Sequence, residues 1–82
     1  MKLYDEIVKI KKTGDYKLLF IFNDETQREI DFYKYLLKNS GVFKPLKSKK
    51  EFRKYKIDMA GGISWECGAD LSAETIKMSK KF

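Results

Sequence analysis

No histidine occurs among the 82 residues. The commonest general base and metal ligand near neutral pH is therefore missing, and with it every Cys-His or Ser-His dyad. The single cysteine, Cys67, has no second cysteine to pair with inside the chain, so folding does not depend on oxidation. A reactive thiol at Cys67 would need activation by a lysine or a helix N-terminus; a small residue filling a turn is the plainer reading. No apolar run approaches the roughly 20 residues of a membrane-spanning helix. Lys2, Asp5 and Glu6 interrupt the stretch where a signal peptide needs its apolar core. These features predict a soluble cytoplasmic protein without membrane contact. The segment "AGGIS" (60–64) lacks both the glycine spacing and the lysine of a phosphate-binding loop. Glu66, Asp70 and Glu74 carry the oxygen ligands that magnesium takes, but helix capping by Asp70 and solvation of Glu74 account for them. We expect no enzyme, no metal and no cofactor.

What is present is enough for one small core. Eighty-two residues make a single domain, 1–82. Hydrophobic residues at 43%, with twelve aromatics among them, place the chain outside the disordered class. A chain of this length buries only about 60% of the surface its unfolded form exposes.

The charge is unevenly spread. Between residues 44 and 56 stand seven basic side chains, Lys44, Lys47, Lys49, Lys50, Arg53, Lys54 and Lys56, against one acid, Glu51. The rest of the chain holds eleven basic and eleven acidic residues, so this segment carries the whole net charge of +6.

Hydrophobic periodicity predicts strands over residues 5–11, 16–22, 26–31, 55–59 and 63–65. In the first, Val8 and Ile10 share a face. The second has apolar residues on both faces, which predicts a central strand covered at least partly on each side. Turns are expected at Thr13-Gly14-Asp15 and Asn23-Asp24-Glu25. A short helix follows Asp31, with Phe32/Leu36 and Tyr33/Leu37 as i,i+4 pairs and Lys38, Asn39 and Gly41 at its C-terminal end. Val42-Phe43 and Pro45-Leu46 read as apolar anchors of an irregular connector. Ser48 with Glu51 three positions on matches a capping box opening a second short helix. In "YKIDM" (55–59), Tyr55, Ile57 and Met59 are expected inward.

The stretch "GGISWECGADLSAETI" (61–76) concentrates the unusual residues, and each has a constructional reading. Trp65 is a large apolar body with one N–H, suited to closing the core. Gly68 supplies a backbone conformation disfavoured by a Cβ. Asp70 stands where it can accept from free N–H groups at the next helix. Ser72 suits the N-cap of a last helix, with Leu71 and Ile76 as a hydrophobic staple.

The pattern Trp65-x-x-Gly68-x-Asp70-Leu71 followed by a helix resembles the bacterial family known as domain of unknown function 2442. So do the short N-terminal strands, "GVFKPL" (41–46) and "EFRKYKID" (51–58). Glu66 and Cys67 depart from the proline and asparagine that usually follow the tryptophan. The resemblance implies a small α+β domain on an antiparallel sheet, which agrees with the periodicity: a meander of four to six strands with two or three short helices. It implies no catalytic residues. Some relatives are encoded beside another small protein in an arrangement resembling a toxin–antitoxin pair.

Two function classes follow. The first is a non-catalytic binding or regulatory module with a protein partner; the second is nucleic-acid binding through 44–56. In either, Lys44, Lys47, Lys49, Lys50, Arg53 and Lys56 are the candidate contact residues. The plain alternative is a solvated face that keeps a small domain soluble. Lys49 and Lys50 speak for a partner, because cations in the first turn of a helix oppose its dipole by a few tenths of a kcal/mol each. Phe52 and Tyr55 lie among the lysines but are expected inward, so stacking platforms for bases are not evident.

Overall fold

The computed structural model of the chain describes residues 4–38 and 41–78. Asn39, expected in the C-terminal stop of the first helix, lies outside them.

The first half forms the expected meander. Strands β1 (Ile7–Lys12), β2 (Lys17–Phe22) and β3 (Gln27–Asp31) pair antiparallel in the order β1-β2-β3. In β2, alternation puts Leu18, Phe20 and Phe22 in the core at 0–1% exposure, while Leu19 and Ile21 are half-covered on the opposite face. The Asn23–Glu25 turn is tight: Glu25 takes a φ of 71° and its N–H donates to the Phe22 carbonyl at 2.9 Å. Strand β1 departs from simple alternation. An irregularity between Ile7 and Lys9 places Ile7 opposite Phe22 and Ile10 opposite Phe20. Ile7 is buried, and Val8, expected on one face with Ile10, is thrown into solvent while Ile10 packs against the core.

Helix α1 (Tyr33–Lys38) begins where Asp31 accepts the Tyr33 N–H at 3.0 Å. Of its two apolar pairs, Phe32/Leu36 enters the core and Tyr33/Leu37 stays exposed. The expected irregular connector is a 3-10 helix, Gly41–Lys47. Helix α2 (Lys49–Phe52) starts at Ser48, but the capping box is not made. Ser48 makes no side-chain cap, and Glu51 turns instead to Lys54, 3.3 Å away.

A second antiparallel sheet, β4 (Tyr55–Ile57), β5 (Ile63–Trp65) and β6 (Asp70–Leu71), completes the α+β fold with helix α3 (Ala73–Met78). The strands thus form two three-stranded sheets. Strand β4 ends earlier than the sequence pattern predicts, because the Asp58 carboxylate accepts the N–H groups of Ala60 and Gly62, each at 2.9 Å. This Asx turn peels the chain off the sheet, leaving Met59 fully exposed and Ile57 partly so. The sheets meet where the Ile7 N–H donates to the Gly61 carbonyl at 2.7 Å.

One core joins both halves. Phe32 is its hub, with ring centroids 5.8 Å from Phe52, 6.1 Å from Trp65 and 6.2 Å from Phe20. Such tilted and edge-on packing is the favoured aromatic geometry.

Candidate binding surface

The basic segment runs over the 3-10 helix, α2 and β4, and all seven of its cations are exposed. They are not equivalent. Lys49 reaches Asp15 at 3.0 Å. Their hydrogen bond, reinforced by charge attraction, raises the lysine's pKa and lowers the aspartate's. Lys54 lies between Glu51 at 3.3 Å and Glu66 at 3.6 Å, and its pKa rises, first through the hydrogen bond to Glu51. Lys44, Lys47, Lys50, Arg53 and Lys56 form no ion pair with any described residue. Of the two lysines that open α2, one is therefore compensated and the other is not.

At one of the unpaired lysines opens a cleft of about 130 Å³, lined by Tyr16, Tyr33, Leu36, Leu37 and Lys47. The Tyr16 hydroxyl donates to the Lys47 carbonyl, tying the β1–β2 turn region to the end of the 3-10 helix. The Tyr16 ring packs edge-on against buried Phe52 at 5.4 Å and tilts against Tyr33 at 5.8 Å. Tyr33 and Leu37 are 52% and 58% exposed, a large apolar area for so small a helix. The tyrosines and leucines of this cleft were not legible as a site. The only signal was that α1 carries two apolar i,i+4 pairs and a six-residue helix packed on one side buries one of them.

The remaining candidates are dispersed. Cys67 is half-buried, with its sulfur 3.5 Å from the Val42 carbonyl. Among the described residues no three of His, Cys, Asp and Glu gather as a metal site, so Glu66, Asp70 and Glu74 do not converge. Asp70 does not cap α3. It pairs in register with Ser64, which in turn faces Lys56, so the three form a polar row across one face of the second sheet. The cap is Ser72, whose Oγ accepts the Thr75 N–H at 3.1 Å. Ile76 is fully buried in the core cluster, and half-buried Leu71 packs against that cluster.

Trp65 is 3% exposed and its indole N–H donates to the Phe52 carbonyl at 2.9 Å. Gly68 has a φ of +99°, in the left-handed region that side chains resist. Its N–H donates to the Trp65 carbonyl at 3.0 Å, closing the turn that starts β6.

The model of DUF2442, a protein family of unknown function, matches residues 7–82, from the first strand onward. The chain belongs to this family. Comparison with curated proteins and with solved structures finds no match. In this DUF2442 domain, the tryptophan-to-leucine segment lies at the second sheet and the core, while the exposed apolar cleft lies elsewhere, between Tyr16, α1 and the end of the 3-10 helix. No helix among the described residues is long and apolar enough to cross a membrane.

Proposed function

We propose that this protein is a non-catalytic module of the cytoplasm that binds a partner protein on the basic face of residues 44–56. The observation that carries the reading is an exposed apolar cleft that includes Lys47, one of five unpaired cations of the segment 44–56. Exposed ion pairs are worth only about 0.2–1 kcal/mol each. Burying one large apolar side chain is worth about 1.5–3 kcal/mol. On these magnitudes the cleft supplies affinity and the lysines supply steering and orientation. A regulatory half of a two-protein system is one arrangement such a surface fits.

A second reading, single-stranded nucleic acid, draws on Tyr33, whose exposed ring beside Lys47 offers one stacking platform. Against it, the aromatics within the basic segment turn inward: Phe52 is buried and Tyr55 half-buried, so Tyr33 gains no second platform from that segment.

The test is co-purification of the tagged protein and of a Lys44→Glu, Lys47→Glu, Lys50→Glu, Arg53→Glu variant, each with and without nuclease. The reading predicts a stoichiometric, nuclease-resistant partner protein that the variant loses. Absence of such a protein, or one released by nuclease, contradicts it.

A further inference from the structure

The cleft between α1 and the 3-10 helix has a fixed floor and a charged margin. Tyr16 is held from two sides, by its hydroxyl on the Lys47 carbonyl and by its ring against Phe52, so the aromatic wall is in place before any ligand arrives. The margin follows from helical geometry. At about 100° per residue, Leu36 points into the core, Tyr33 and Leu37 flank the opening, and Lys34 and Lys38 come next on the solvent side. Both lysines are exposed without an ion pair among the described residues, and Lys47 itself lines the cleft. Asp15, paired with Lys49, and Asp31, which accepts the Tyr33 N–H, line a neighbouring depression and not this cleft.

We propose that this cleft is the anchor site for an acidic segment of a partner protein, which inserts one leucine or phenylalanine side chain while its carboxylates face Lys34, Lys38 and Lys47. The assignment rests on the reading that the basic face receives a protein. A space of roughly 150 Å³ admits a benzene-sized group, so a cleft of about 130 Å³ takes one such side chain and no more. A nucleobase fits poorly, because Tyr16 and Tyr33 are inclined at 49° and offer no parallel slot. A second copy of the chain fits poorly as well: a two-fold contact would set the cationic margin against itself.

The experiment uses the isotopically labelled full chain and three short synthetic peptides: one rich in glutamate with a central leucine, the same with alanine at the centre, and one with glutamine replacing the acids. The first peptide is expected to bind saturably, with amide shifts centred on Tyr16, Tyr33 to Leu37 and Lys47. The other two, and a Leu37→Ser variant against the first, should bind at least roughly tenfold more weakly. Leu37 is exposed, so the variant's spectral dispersion reports retention of the fold. Shifts confined to Lys44, Lys50, Arg53 and Lys56, indifferent to Leu37→Ser, overturn the anchor site and leave the protein-binding reading standing. No binding by any peptide at millimolar concentration overturns the anchor site. If an oligonucleotide then shifts the same amides, the protein-binding reading falls with it.

Discussion

Trp65 donates its indole N–H to the carbonyl of Phe52 while its ring lies 5.9 Å from that of Phe52. One side chain thereby satisfies the end of α2 and closes the aromatic core against the second sheet. The relationship makes the tryptophan a constructional residue, and it couples the basic segment to the fold, since Phe52 sits between Lys50 and Arg53.

Trp65→Ala is expected to cost about 3–5 kcal/mol through the cavity it leaves, most of the stability of a domain with the usual ~5–15 kcal/mol. Trp65→Phe keeps much of the apolar body but leaves the buried Phe52 carbonyl unpartnered, a loss of about 1–3 kcal/mol. Thermal melts with near-UV circular dichroism check the order. An alanine variant that melts within a few degrees of the parent would show that the indole does not hold the core.

Gly62→Ala is expected to disrupt the second sheet. A Cβ there would lie 2.5 Å from the Leu71 carbonyl oxygen and 3.2 Å from the Ser72 Cα, both backbone atoms with nowhere to go. Gly68→Ala meets only the Val42 methyl at 3.7 Å, so its cost is the left-handed backbone alone, about 1–2 kcal/mol. The melting temperature of Gly62→Ala should therefore fall further than that of Gly68→Ala. The reverse order would place β6 farther from β5 than the register Ile63–Leu71 requires.

The acid limb of stability should depend on Asp24. Its carboxylate accepts from Lys77, then from the Thr26 hydroxyl and N–H, and these hold its pKa well below the ordinary range. A depressed folded-state pKa stabilises the fold above the unfolded value near ~4, and the contribution disappears as pH falls through the folded value. Lys77, which also reaches Asp5 at 2.9 Å, has a raised pKa, and its share is lost only as pH rises through that value at the alkaline end. Asp24→Asn keeps an acceptor for Thr26 and removes the charge. At pH 7 and low salt it should melt below the parent, and the gap should narrow steadily as pH falls below about 4. A gap independent of pH would mean that the ion pair contributes nothing.

The fold was legible where one physical signal dominates. The double-faced apolar run in β2 announced a central strand, and the Ser72–Ile76 segment announced α3. Strand β6 is only Asp70–Leu71, too short to show a period. The displacement of Val8 and the early end of β4 at Asp58 each depend on one local hydrogen-bonding choice that periodicity does not encode. The basic segment was plain from charge alone. The cleft beside it was not, because Tyr16 and Lys47 are 31 positions apart and only the folded chain brings them together.

The account's central claim, that the basic face serves a protein partner, is tested most directly by titrating the purified protein with random duplex and single-stranded oligonucleotides at low and fourfold higher salt. Five phosphate contacts, by Lys44, Lys47, Lys50, Arg53 and Lys56, would give a log–log salt slope near about −4.5 and a loss of roughly 500-fold across that range. The account predicts no complex tighter than about 100 μM even at low salt, weaker than ordinary non-specific binders. A micromolar complex with that steep slope, abolished by Lys50→Glu with Arg53→Glu, would contradict it.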